Sequence, residues 1–227
     1  MIVSVIIPAY NEEKYIGACL ESLANQEVPA DEIIVIDNNC KDKTVEIASK
    51  YDVKIIKQPI QGMIPARDLG FETATGDILV RCDSDSVAPK NWIKTIRDDF
   101  EKEKIVGVFG PGEFYDSKMP KWLVLFFFRT YFFIGKNILG HEMLLGSNMA
   151  ITKDSWEKVK HNTCCEDHIV HEDVDIAIHV GKLGKILYDE KMTNKISARR
   201  FRDIFSLFEY PTRFVKTIIY NQKKGYV

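Results

Sequence analysis

The sequence predicts an α/β fold, a mostly parallel central sheet flanked by helices. Three observations carry this. Short apolar runs recur along the first half of the chain and read as strands buried on both faces. Segments of helical pattern separate them, which argues for βαβ units. Two of the runs end in acids, at Asp37 and at Asp83 and Asp85, on what a parallel sheet makes one common edge. The 227 residues, 45% hydrophobic and 28% charged, suffice for one domain with a well-buried core.

Val3 to Ile7 is nearly continuous apolar sequence, ended by Pro8. Asn11 is placed to cap a helix with Glu12 and Glu13 in its first turn, and Ile16, Cys19, Leu20 and Leu23 mark its apolar face. Glu32 to Asp37 is a second strand, Thr44 to Lys50 a helix and Val53 to Ile56 a third strand. Pro65 suits the first turn of a helix reaching about Thr73, and Gly76 breaks it before the strand ending at Asp83. Lys90 to Lys104 reads as helix and Ile105 to Gly110 as strand, closed by Pro111-Gly112. Trp122 to Ile134 is aromatic-rich, interrupted by Arg129 and too short to span a bilayer. Periodicity leaves it open between a buried helix, an oligomer face and a helix in a membrane interface. Gly146 to Ile151 reads as a close approach leading into a short strand, and Lys153 to Lys160 as a helix. Glu172 to Leu183 is a helix with acids in its first turn, and Lys185 to Tyr188 a strand. Phe205 to Tyr220 is a last amphipathic segment, followed by Lys223 and Lys224.

Several function classes are disfavoured. A net charge of -2 provides no global basic field for nucleic acid. The five cysteines are scattered and form no disulfide framework, so a reducing cytoplasm is the expected compartment; Cys19, Cys40 and Cys82 read as core or near-core residues. The start, Met1 to Val5, lacks a basic region and does not read as a signal peptide. Gly-x-Gly-x-x-Gly is missing after the first strand, against a dinucleotide-dependent oxidoreductase. A nucleotidyltransferase would carry a Gly-rich basic loop there, and a phosphatase its Asp-x-Asp; here the loop is Pro8-Ala9-Tyr10-Asn11-Glu12. His161, Cys164, Cys165, His168 and His171 lie close together, but their spacing fits no structural zinc pattern.

The chemistry concentrates at Asp83-Ser84-Asp85. Alternate side chains of an extended chain share a face, so both carboxylates aim at one point past the strand end. Two hard oxygen donors suit Mn²⁺ or Mg²⁺, an ion usually shared with substrate phosphates. The same residue types also make a plain polar turn.

Taken together, the motifs resemble a family 2 glycosyltransferase of the GT-A fold, a Rossmann-like nucleotide-diphospho-sugar transferase. The matching pieces are Val5-Ile6-Ile7-Pro8-Ala9-Tyr10-Asn11-Glu12, Ile34-Val35-Ile36-Asp37-Asn38-Asn39, Ala66-Arg67-Asp68-Leu69-Gly70, Asp83-Ser84-Asp85, Gly146-Ser147-Asn148 and Glu172-Asp173-Val174-Asp175. The resemblance runs from residue 3 to about residue 190. It implies a single domain over 1–227, with a nucleotide-binding half to about 110, an acceptor half over about 111–200 and an amphipathic helical segment over 201–227.

The resemblance also implies roles. A metal is held by Asp85, with Asp83 sharing it or lying near the ribose. Pro8, Ala9, Tyr10 and Glu12 contact base and ribose, Asp37 accepts a hydrogen bond from the base, and Arg67 lies near the nucleotide. Asn148 faces the sugar or acceptor, or is a turn residue. Asp173, beside Glu172, is the candidate general base of an inverting transfer, and partial burial would raise its pKa toward that task. Acids in a first helical turn are also favourable on structural grounds alone. Arg199 and Arg200 reach the diphosphate after closure, or form a solvated basic face.

Processive members carry Gln-x-x-Arg-Trp; Ser197-Ala198-Arg199-Arg200-Phe201 stands here, which implies transfer of a single sugar. Asn38, where many relatives have a second acid, leaves uracil and guanine both open. The implied partners are a UDP- or GDP-sugar and a glycan or lipid-linked acceptor. The apolar segments 122–134 and 205–224 suggest peripheral contact with the inner face of the membrane, or a homodimer. A non-catalytic nucleotide-sugar-binding module, or a nucleotidyltransferase, which would use a similar sheet and metal, is the alternative.

Overall fold

The computed structural model describes residues 1–117, 119–199 and 204–227. In chain order the elements are β1 (Val3–Ala9), α1 (Ile16–Ala24), β2 (Glu32–Asp37), α2 (Thr44–Ala48), β3 (Lys54–Lys57), α3 (Met63–Thr73), β4 (Ile78–Cys82) and α4 (Trp92–Lys102). Then follow β5 (Gly107–Phe109), β6 (Gly112–Phe114), α5 (Lys121–Leu139), β7 (Asn148–Thr152), α6 (Lys153–Val159) and α7 (Glu172–Val180). β8 (Ile186–Tyr188), β9 (Asn194–Ile196) and α8 (Ile204–Lys223) complete them.

Among the described residues, seven strands form one sheet in the order β3-β2-β1-β4-β7-β5-β8. The first four strands are parallel neighbours, and β5 pairs parallel with β8. β7 runs antiparallel between β4 and β5. This reversal matters for the site. It pairs Asn148 at the start of β7 with Cys82 at the end of β4. The loop before β7 is thereby delivered to the edge where Asp83 and Asp85 emerge.

Alternation within the strands builds two core layers. Ile6, Ile34, Ile36 and Leu79 pack on one face with Phe71, Trp156 and Val174. Val5, Ile7, Val35 and Val80 pack on the other with Leu20, Trp92 and Ile96. Each fully buried side chain of this size contributes roughly 1.5–3 kcal/mol. Gly70 lets α3 sit directly on β1, since a Cβ there would come within 2.3 Å of the Ile6 methyl.

Three details depart from the sequence reading. The first helix begins at Ile16, not after Asn11. Asn11 adopts a left-handed conformation (φ 55°) and its Oδ1 accepts the Lys41 N–H, so it shapes a loop. The aromatic segment is longer than it read: α5 is 19 residues, because Gly135 to Leu139 continue it to a left-handed stop at Gly140. A second, two-stranded sheet of β6 and β9 was also not legible. Strands of three residues carry too short a pattern to register.

Candidate active site

The carboxyl ends of β1 and β4, the loop before β7 and the N-terminus of α7 meet around two adjoining cavities. The larger, about 460 Å³, is lined by Asp83, Asp85, Gly146, Ser147, Glu172 and Asp173, among others. The smaller, about 220 Å³, is lined by Pro8, Ala9, Tyr10, Glu12, Asn38 and Arg199, again with Asp83. Asp83 therefore stands at the junction of the two.

Buried charge organises the larger cavity. Arg81, in the middle of apolar β4, donates to Glu172 and, at 3.2 Å, to Asp83 Oδ1. Glu172 Oε2 also accepts from Arg67 Nη1 at 2.9 Å. Arg67 lies fully buried on α3, pairs with Asp68 at 2.6 Å and stacks over the Trp156 ring. A chain of alternating charge thus runs from α3 through the α7 N-terminus to the end of β4. Such pairs hold geometry where the desolvated charges are matched and hydrogen-bonded. Gly146 makes room for it: a Cβ there would fall 2.5 Å from Arg81 Nη1.

Asp173 sits in the first turn of α7, buried and at the cavity wall. Its Oδ2 accepts the Gly146 N–H at 3.0 Å and its Oδ1 the Val174 N–H at 2.8 Å. His171 Nδ1 meets the same Oδ1. Burial alone would raise this carboxyl; the His171 contact, the Gly146 N–H and the Arg81 charge outweigh it and hold the pKa below the usual carboxylate range. The direction is opposite to the one expected from burial beside Glu172.

Asp85 is paired with Arg199, whose Nε lies 2.9 Å from Oδ2. Arg199 Nη1 and Nη2 reach Glu12 at 2.7 and 2.5 Å, and its guanidinium stacks over Tyr15. The chain after β9 is thus clasped to the first loop. Asp83 and Asp85 fit a divalent cation: they are hard oxygen donors on one cavity, and a guanidinium already marks the place as favourable for positive charge. Two carboxylates leave the remaining coordination positions to phosphates and water.

Other expected residues lie elsewhere. Asp37 lines neither cavity, and its Oδ1 accepts the Cys40 N–H at 2.8 Å. Its neighbour Asn38 faces the smaller cavity and fixes the chain around it: Nδ2 donates to the Ile60 carbonyl and Oδ1 accepts the Gly62 N–H. Arg67 likewise lines neither cavity. Asn148 is fully buried in β7, accepting from Trp92 Nε1 and donating to the Pro111 and Met192 carbonyls, while Gly146 and Ser147 hold the cavity-facing positions. Arg200 lies outside the described residues. Among the described residues, no three His, Cys, Asp or Glu side chains converge as a further metal site.

Arg81 escaped the sequence reading, and His171 entered it only within the His/Cys stretch 161–171, not as a partner of Asp173. Arg81 had a usable signal, since a charged residue inside a doubly buried strand requires a buried partner. His171 had none, because its partner is set by the turn at the start of α7.

Sheet order, the single antiparallel insertion and the acidic edge define the GT-A architecture. S. aureus TarS residues 1–349 in complex with UDP-GlcNAc superposes with a TM-score of 0.68 at 19% identity, over 87% of this chain and 58% of that one. A mannosyltransferase from Pyrobaculum calidifontis, in complex with GDP-Man and Mn²⁺, gives 0.67 at 18%, over 86% and 56%. The family model described as Glycosyl transferase family 2 matches residues 4–157, and the chain belongs to that family. Glycosyltransferase AglE of Haloferax volcanii is 36% identical over 100 residues, 40% of this chain and 33% of that protein. The chain thus spans about a third of that relative's length.

Proposed function

We propose that the chain is a non-processive, inverting glycosyltransferase that moves one sugar from a UDP- or GDP-sugar to a hydroxyl of a glycan or lipid-linked acceptor, on the cytosolic side of the membrane. The observation that carries this is Asp83 at the junction of the two cavities. The smaller cavity, with Pro8 to Glu12 and Asn38, accepts the nucleoside; the larger accepts sugar and acceptor. Family membership and the UDP-GlcNAc and GDP-Man complexes of fold relatives support the donor class.

Mn²⁺ or Mg²⁺ held by Asp83 and Asp85 supplies, when bound, neutralisation of the departing diphosphate. The chain's own residues do the rest. Asp173 takes the proton of the acceptor hydroxyl as its oxygen attacks the anomeric carbon and the bond to the diphosphate breaks. Gly146 and His171 hold the Asp173 carboxylate in place, and Arg81 and Arg67 hold Glu172 beside it.

The test is release of nucleoside diphosphate from a panel of UDP- and GDP-sugars with Mn²⁺, Mg²⁺ or EDTA. Release from one donor, abolished by EDTA and by Asp83→Asn/Asp85→Asn, is the expected result. Metal-dependent nucleotide binding without release under any acceptor supplied would favour the non-catalytic module.

A further inference from the structure

We propose that α5 and the adjoining face of α8 form a docking surface for an anionic lipid leaflet, with α5 lying in the plane of the interface. Length and composition alone would let α5 cross a bilayer. Its packing does not: Val124 and Phe132 are buried in the domain, and Phe132 meets the ring of Phe109 on the central sheet at 5.0 Å. One side of α5 is committed to the body along its length, so it lies on the surface. The other side is open. Trp122 (69% exposed), Phe126 (61%), Phe127 (59%) and Phe133 (68%) project from it, joined by Ile134 and Ile138. A contiguous patch of this kind marks a docking site.

Charge selects the occupant. α5 contains no Asp or Glu. Helical spacing puts Arg129 and Lys136, two turns apart, along one edge of the apolar stripe. On the other edge α8 joins, through Phe214 against Tyr131 at 5.8 Å. Exposed Val215 and Ile219 continue the apolar surface, with Lys216 and Lys223 beyond them and Lys224 following. Arg129 and Lys136 are paired with Glu190 and Glu142 on the body, so the electrostatic attraction comes chiefly from the α8 lysines. An aromatic centre between basic rims suits the boundary between headgroups and acyl chains of an anionic leaflet. A second copy of the chain would set the same basic rims against each other.

The face is continuous with the site. Phe128 of α5 and Tyr210 and Arg213 of α8 line the larger cavity. Docking therefore brings a membrane-borne acceptor beside that cavity. This last consequence rests on the transferase reading; docking itself does not.

The test is co-sedimentation of the full chain with phosphatidylcholine vesicles, with and without phosphatidylglycerol, without donor or acceptor, so its outcome is independent of transfer. Trp92 and Trp156 are buried and Trp122 is exposed, so tryptophan emission reports α5 directly. Expected are sedimentation with the anionic vesicles, a blue shift lost in Trp122→Phe, and at least about a tenfold drop in partition for Phe126→Ser/Phe133→Ser. Lys216→Glu/Lys223→Glu should erase the preference for phosphatidylglycerol. All five substituted side chains are exposed, and circular dichroism verifies that the fold is retained. Wild-type protein remaining in the supernatant at low salt, or partition unchanged in the double Phe variant, overturns the proposal. A dimer that the double Phe variant converts to monomer assigns the face to a second copy instead.

Discussion

Arg81 occupies a position that would be strongly unfavourable without its partners, in a strand whose residues are all buried. Glu172 and Asp83 offset that cost, and in return Arg81 sets the position of both. Arg81→Met leaves Glu172 with one cation and Asp83 without its arginine. The expected outcome is a loss of about 3 kcal/mol in urea unfolding, together with a loss of diphosphate release. Wild-type stability in this variant would mean that the pair adds nothing. Asp173→Asn tests a different property. It keeps the shape of the side chain and removes the proton acceptor, so turnover should vanish while calorimetric binding of the nucleotide persists. Because His171, Gly146 and Arg81 hold the Asp173 carboxyl low, its anion is present throughout the neutral range. Loss of turnover on mild acidification should therefore trace to other groups.

At the scale of elements, strands and helices with long, regular patterns were legible. β2 and the start of α7 stand where the apolar run and the first-turn acids placed them. Parallel β1, β2 and β4 followed from the continuous apolar runs. The candidate site was legible where residues sit at strand ends, as with Asp83 and Asp85, in the loop after the first strand and in the first turn of α7, as with Glu172 and Asp173. Long-range pairing decided the rest: Asn148 looks like a loop residue in sequence, yet the antiparallel β7 carries it into the core. α4 carries its own testable feature. Burial, and then the neighbouring Asp189 carboxylate, push Asp99 up to about 6. Its folded pKa exceeds the unfolded one, so its stabilising protonated form is fully present below about pH 4 and is lost as pH rises through 6. Asp99→Asn should then stabilise the protein by about 1 kcal/mol at pH 8, after allowance for solvent screening, and leave it unchanged at pH 4. Equal effects at both values would assign the gain to something other than ionisation.

On the scale of the whole molecule, α8 closes the fold across α7. Asn221 Nδ2 donates to Asp175 Oδ1 at 2.8 Å, and Thr217 accepts the His171 N–H at 2.7 Å. His179 is buried against Tyr226 at the same seam. Burial lowers its pKa, against the opposing pull of Asp175. The folded state thus favours neutral His179, and that stability is present above the unfolded value of about 6.5 and lost as pH falls through the folded one. His179→Gln should flatten the decline of the melting temperature on acidification from pH 7 to 5; an unchanged decline would remove His179 from that role. This seam was not readable from the sequence, because its members lie in segments whose contact depends on the last helix folding back.

The Arg199 clasp has a thermodynamic consequence. A guanidinium and a divalent cation that draw on the same Asp85 carboxylate are antagonists, and by reciprocity each weakens the other's hold to the same degree. On the proposed reading, a nucleoside diphosphate would attract both cations and so convert rivalry into cooperation, with the arginine offering its charge to phosphate and leaving the carboxylate to the metal. Arg199→Ala should therefore strengthen Mn²⁺ binding alone by at least about fivefold while weakening that of the nucleotide, both measured by calorimetry. Mn²⁺ affinity identical to wild type would show that the two sites are independent. Tighter Mn²⁺ binding in the variant would mean, on the proposed transferase reading, that the protein scarcely binds metal until the donor arrives, an order of assembly built into a single side chain.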